Sequence, residues 1–225
     1  MRGSALVRWC RNHRAGLHLA RLNAWSGSVG ILWPAIRALA EQTPQRPVKI
    51  LDIASGAGDV PIGLWQTAHR RGYAVDIEGC DRSPTSVAYA QSRAQHAEAS
   101  VRFFQFDALT DPIPTGYDVI MCSLFLHHLS EDDATHLLRH MSQATKHLVV
   151  INDLIRSWGG LGLAHLATRL LTRSPIVHAD GPQSVRAAYS QAEVASLAQR
   201  AGLTGATVSW RWPFRFLLTW KQPSS

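Results

Sequence analysis

Several features that mark large protein classes are missing from this chain. Its 225 residues include only three cysteines, Cys10, Cys80 and Cys122. They are odd in number, far apart and never in a CxxC pair, which argues against a disulfide framework and against a zinc site. No apolar run approaches the ~20 residues of a membrane-spanning helix, so membrane insertion is not expected. The basic start, MRGSALVRWCRNHR, lacks the apolar stretch of a secretory signal, and a reducing cytoplasm is the expected location. No internal repeat or low-complexity segment stands out. What remains is a composition of 46% hydrophobic and 17% charged residues, that of a globular domain large enough to bury a sizeable core. The net charge of +7 is compatible with a nucleic-acid surface. However, the arginines are scattered apart from Arg2, Arg8, Arg11, Arg14 and Arg21, which read better as the solvated face of one N-terminal helix.

Residues 4–42 read as helical, broken near Ser26-Gly27-Ser28 and restarted around Pro34, a residue tolerated in a first helical turn. The linker TPQRP (43–47) follows, and then strands and helices alternate. VKILDIA is a strand, 59–71 a helix, AVDIEGC (74–80) a strand and 84–97 a helix. VRFFQF (101–106) is a third strand, and YDVIMCSLF (117–125) has the continuous apolar character of a strand buried on both faces. Ser130 and Asp133 form a capping box for a helix reaching about Lys146. HLVVIND (147–153) is a fifth strand. This rhythm predicts a parallel sheet with helices on both faces. The end departs from it: a helix over 190–201 is followed by two strands meeting near Pro213, read as a hairpin. An extra segment, about 154–186, carries Leu163, Leu166, Ala167, Leu170 and Leu171 at helical spacing, and the turn DGP follows at 180–182.

The chemistry concentrates in ILDIASGAGD (50–59). Gly56 and Gly58 strip side chains from the end of the first strand, where ligands sit in open α/β sheets. A tight strand–helix turn explains two glycines equally well. The tie is broken by Asp81 at the end of the second strand, 25 residues after Gly56, near the ~20-residue spacing of a ribose-binding carboxylate. Asp107, ending the third strand, adds an acceptor for an exocyclic amine such as that of adenine, although alone it reads as well as a turn residue. A dinucleotide fingerprint is not met, because Pro61 occupies the third glycine position. The chain also lacks the GKS/T of a phosphate loop.

With these residues in place the chain resembles the class I S-adenosylmethionine-dependent methyltransferases over about 48–221. Leu51-Asp52-Ile53-Ala54-Ser55-Gly56-Ala57-Gly58 is similar to that family's LDxGxGxG. Asp81, Asp107-Ala108, YDVIMCSLFLHHL and the terminal hairpin continue the pattern. The departure is Ala54, in place of the usual first glycine. The resemblance implies a Rossmann-like, doubly wound, seven-stranded α/β sheet, mostly parallel with a C-terminal antiparallel hairpin, preceded by N-terminal helices and carrying a helical lid. It implies one domain: an N-terminal cap (1–45), a cofactor core (48–153), a lid (154–186), and a last helix with the hairpin (187–225). It also implies S-adenosylmethionine as cofactor, leaving as S-adenosylhomocysteine. The implied contacts are Asp52, Ala54, Ser55, Gly56, Gly58, Asp81, Arg82, Asp107, Ala108 and Ser123. Of these Asp52 organises the loop, Asp81 holds the ribose, and Asp107 with Ala108 flanks the adenine.

The acceptor is less legible. Ser123-Leu124-Phe125-Leu126 lacks the NPPY-like tetrapeptide of base-amino methyltransferases, and Cys122 follows Met121 rather than proline. Neither feature suits a nucleic-acid substrate. Asn152 and Asp153 alone make a poor metal site, and none is expected. His127 and His128 are the catalytic candidates, since a histidine near neutral pKa can accept a hydroxyl proton; packing beside the cofactor or capping the next helix is the plainer role for either. His136 and His140 lack the glutamate of a zincin and read as exposed. Trp25, Phe125, Asp153, Arg186 and Tyr189 are the substrate-binding candidates, with Trp33, Trp158 and the leucine stripe as walls of an apolar pocket. The expected activity is methylation of a small molecule by a monomer or homodimer, on oxygen of a phenolic or polyketide-like metabolite. Carbon methylation of a quinone precursor and a non-catalytic cofactor-binding subunit are the alternatives.

Overall fold

The computed structural model describes residues 27–157, 159, 160, 162 and 183–223. The first described helix, α1 (Ser28–Gln42), starts at Ser28 and runs through Pro34. The proline thus lies in the second turn rather than the first. The helix tolerates it because Leu32, Trp33, Ile36 and Ala40 form one buried face against the sheet, and that packing outweighs one lost hydrogen bond. Next come β1 (Val48–Ile53), α2 (Asp59–Arg70), β2 (Val75–Asp81), α3 (Pro84–His96), β3 (Val101–Gln105) and β4 (Val119–Ser123). A 3₁₀ turn (Leu126–His128), α4 (Glu131–Ala144), β5 (Leu148–Leu154), α5 (Gln191–Arg200), β6 (Thr207–Arg211) and β7 (Arg215–Lys221) complete the order.

The seven strands are ordered β3-β2-β1-β4-β5-β7-β6. β1 pairs in parallel with both β2 and β4, while β5–β7 and β6–β7 are antiparallel. The terminal hairpin and the Rossmann-like order expected above are therefore present. Side-chain alternation divides the core in two. Val48, Ile50, Val119, Met121, Leu148 and Val150 face α1 and α2, whereas Leu51, Ile53, Ile120, Cys122, Val149 and Ile151 face α4 and α5. This double burial is the reason for the near-continuous apolar runs.

β4 is shorter than its apolar run. Asp118 just before it accepts two hydrogen bonds from Arg46, at 2.5 and 2.8 Å, and one from Lys49 N. Leu124 just after it takes a positive φ of 57°, turning the chain out of the sheet. At α4 the cap also differs from the expected box: Ser130 Oγ accepts from Asp133 N at 3.1 Å, but the Asp133 carboxylate takes the Ser130 hydroxyl rather than its backbone N–H. A full capping box occurs instead at Ser190 and Glu193, opening α5. No described helix is long and apolar enough to cross a membrane. Residues 1–26, including Trp25 and the arginine cluster, lie outside the described residues, as do Trp158, the leucine stripe and the DGP turn.

Candidate active site

The strand order reverses between β1 and β4, so their carboxyl ends open the crevice where such sheets bind ligands. On the β1 side the loop makes three consecutive ties. Ser55 N donates to Cys80 O at 2.9 Å, Gly56 N to the Asp81 carboxylate at 3.0 Å, and Gly58 N to Ser55 O at 2.9 Å. Asp81 also accepts from Ser83 N at 2.9 Å. The 25-residue spacing thus closes into a direct contact: the carboxylate expected to hold a ribose also fixes the glycine loop. A carboxylate has about four acceptor sites, so two backbone donors leave capacity for hydroxyls. Behind the loop Arg93 donates to Ala57 O and forms an ion pair with Asp59.

Ala54 is the strained member of this loop. Its φ is +56°, the left-handed region that costs a non-glycine residue about 1–2 kcal/mol. The family's glycine at this position therefore has a backbone reason, and Ala54 adopts the glycine conformation without being one. Ala54→Gly should stabilise the fold by about 0.5–1 kcal/mol after the extra unfolded-state entropy is subtracted. Thermal denaturation should show a gain of roughly 1–4 °C; a lower melting temperature would contradict this.

Asp52 is buried in β1 with its Oδ1 lacking a hydrogen-bond partner. Burial, and then the charge of Asp81, push its carboxyl well above the ordinary range. Burial also raises Asp81, against the lowering pull of the Ser83 and Gly56 amides. Two carboxyls that are costly to ionise make a site in which a nearby cation is favourable. The thiols of Cys80 and Cys122 are buried and pushed up, so neither is a reactive nucleophile at neutral pH.

The third strand end is arranged otherwise than the adenine expectation alone suggests. Asp107 accepts from Leu109 N at 3.1 Å and lies 3.8 Å from Arg82, a turn-forming role. Ala108 is buried beside it.

Beyond β4 the two histidines separate in role. His127 and Asp153 are both buried, with Nδ1 of the ring 2.6 Å from the carboxylate and the His127 backbone N–H donating to it at 3.1 Å. Burial raises Asp153, but the His127 ring and the backbone donors outweigh it and hold the carboxyl below its ordinary value. Asp153, expected among the substrate-binding residues, is thus the partner of His127. The His128 ring packs on His127 at 4.0 Å between centroids. His128 lies at the surface, yet partial desolvation of its ring and then the neighbouring His127 push it down to about 4. On the opposite face of the sheet Asn152 Nδ2 donates to Ser123 Oγ at 2.9 Å and Ser28 Oγ at 3.2 Å. Ser123 therefore belongs to a buried polar group that the sequence did not reveal.

Two substrate expectations are corrected. Tyr189 is 3% exposed and donates to Leu129 O at 2.8 Å, because its ring belongs to the α4–α5 core instead of a pocket mouth. Trp33 packs edge-on against Tyr73 at 5.4 Å within the α1 core, not along a pocket wall. Arg186 is exposed on a short helix at 183–187 and Phe125 is half-buried. His136 and His140 are half-buried, their rings 3.9 Å apart. Among the described residues no group of three or more His, Cys, Asp or Glu side chains is placed to hold a metal ion.

Residues 50–147 match the family model described as a methyltransferase domain. Over that span the core of this chain is similar to a methyltransferase domain. A demethylmenaquinone methyltransferase of Deinococcus radiodurans is 32% identical to it over 95 residues, 42% of this chain and 38% of the relative. The match thus spans well under half of that relative's length. Among solved structures, magnesium protoporphyrin IX methyltransferase from Synechocystis with bound SAH superposes with a TM-score of 0.60 at 17% identity, covering 87% of this chain and 84% of that one. Mitomycin 7-O-methyltransferase gives 0.58 at 18% identity, over 78% and 49%. At these identities the likeness is one of fold.

Proposed function

We propose that the chain binds S-adenosylmethionine across the ends of β1–β3 and methylates a small molecule at the ends of β4 and β5, on oxygen of a phenolic or polyketide-like metabolite. The unpartnered Asp52 Oδ1 and the raised Asp52 and Asp81 carboxyls suit a cation better than a polyphosphate. Gly56, Gly58 and Ala54 would line its amino-acid end, Asp81 the ribose, and Asp107 with Ala108 the adenine. When bound, the cofactor supplies an electrophilic methyl group on a sulfonium.

The observation that carries the oxygen-directed reading is the buried His127–Asp153 pair. Asp153 accepts Nδ1–H, which fixes the tautomer and leaves Nε2 to take a proton from an acceptor hydroxyl. His128, neutral with its value near 4, places no competing positive charge beside that ring. Carbon methylation of a quinone precursor is the second reading, favoured by the name of the Deinococcus relative.

Calorimetry is expected to show S-adenosylhomocysteine binding and no comparable NAD binding; the reverse would overturn the proposal. Incubating metabolite extracts with methyl-labelled S-adenosylmethionine then separates the readings. Label on oxygen supports the first, and label only on ring carbon replaces it with the second.

A further inference from the structure

Arg215, at the start of β7, is 4% exposed. Its Nη1 donates to Ser28 Oγ at 2.8 Å, and among the described residues it makes no ion pair. Burial pushes its guanidinium down to about 10, with Asp153 as the opposing charge, but Asp153 is engaged by His127. A buried charge without a close counter-charge costs several kcal/mol, so a guanidinium in this position calls for an anion.

Two independent features converge on the same point. Ser28 is the first residue of the 15-residue α1, which has no acidic residue in its first turn and no side-chain cap. Its positive end therefore adds to the arginine's field instead of offsetting it. Asn152, tied to the same Ser28 hydroxyl, keeps a buried Oδ1 that accepts no hydrogen bond. Ser28 also borders a cavity of about 760 Å³ between α1, α2 and α3. The residues outside the described set contribute a single acidic side chain, Asp180.

We propose that Arg215, Asn152 and the start of α1 form a recognition site for an acceptor bearing an anionic oxygen beside a hydroxyl, as in a hydroxyaryl carboxylic acid. The guanidinium takes the anion and Asn152 Oδ1 the neighbouring O–H. This rests on the methyltransferase reading above and narrows its substrate class. The acceptor is assigned, rather than the cofactor's own carboxylate, because of position. Strands lie about 4.8 Å apart, and β7 is three strands from β1, on the far side of β4 from the glycine loop.

The test uses the whole chain saturated with S-adenosylhomocysteine, titrated with salicylate, salicylamide and benzoate. Salicylate should bind about tenfold or more tightly than its neutral amide, and more tightly than benzoate. Arg215→Gln should abolish the preference over the amide while S-adenosylhomocysteine affinity stays within twofold. If that variant does not fold, Asn152→Asp supplies the second arm: its new carboxylate should satisfy the guanidinium and exclude salicylate without excluding salicylamide. Failure of salicylate to bind at millimolar concentration, or a preference that survives both substitutions, overturns the site. An equal loss of S-adenosylhomocysteine affinity in Arg215→Gln assigns the arginine to the cofactor and overturns the acceptor assignment. A preference that emerges only in Asp180→Asn makes Asp180 the counter-ion and does the same. If S-adenosylhomocysteine does not bind the unaltered chain, the methyltransferase reading fails instead, which is a separate result.

Discussion

His127→Ala should cost about 3 kcal/mol of folding stability, at the lower end of the range for leaving a buried carboxylate without its side-chain partner. Both members are buried, at 5% and 1% exposure, so solvent cannot replace the lost ring. The cost stays at the lower end because the backbone N–H groups of His127 and Leu154 still donate to Asp153, at 3.1 and 2.6 Å. Urea denaturation should show the loss, and melting should fall by roughly 6–12 °C. The pH dependence carries a defined sign. The folded Asp153 carboxyl is held below its ordinary value, so the pair's contribution is complete above the unfolded value of about 3.9 and is lost as pH falls through the folded one. In the variant that carboxyl protonates more readily, so the gap between the two proteins should narrow toward pH 4. A gap that is constant with pH, or smaller than about 1 kcal/mol, would mean the pair is not the buried anchor described. Asp153→Asn separates stability from chemistry. It is nearly isosteric but no longer dictates the tautomer, so turnover should fall roughly 10²–10⁴-fold with KM little changed. Retained turnover would remove His127 as the base.

Gly58→Ala should be nearly as severe, by a different route. The residue sits at φ +76°, and an added Cβ would lie 2.7 Å from Phe103 Cζ and 3.0 Å from Ala90 Cβ. Left-handed strain of about 1–2 kcal/mol and overpacking of about 1–3 kcal/mol act together. The loop can relieve the clash only by moving, and movement would carry Gly56 N off Asp81, a contact now at 3.0 Å. S-adenosylhomocysteine affinity should fall by about a hundredfold, since both the loop and the carboxylate it positions are displaced. Adding Phe103→Leu should recover the steric share and leave the backbone share. Unchanged affinity in Gly58→Ala would show that the loop does not form the cofactor cradle.

Much of the first half of the chain was readable before any coordinates. Two apolar faces alternating along β1, β4 and β5 demand helices on both sides. A glycine-stripped turn followed by acidic strand ends signals nucleoside binding whatever the details of packing. The 25-residue spacing of Gly56 and Asp81 was visible as a number, and in the structure it became one hydrogen bond. Local chemistry carried these features, so local sequence revealed them.

Boundaries and roles set by competing local choices were less legible. Pro34 read as a helix start, but a long buried face kept α1 intact from Ser28. Tyr189 read as a pocket residue from its neighbours, yet its aromatic ring was worth more in the core, with a backbone carbonyl to satisfy the hydroxyl.

By itself the sequence determined the alternating elements, the bare loop after β1 and the carboxylates at the following strand ends, because each depends on residues near one another in the chain. Only the tertiary structure decided which side chains meet across the crevice. Asp153 finds His127 from 26 positions away, and Arg215 reaches Ser28 across 187. Pairings of that separation follow from strand order and from which face each residue takes. Neither is written in any short stretch of sequence.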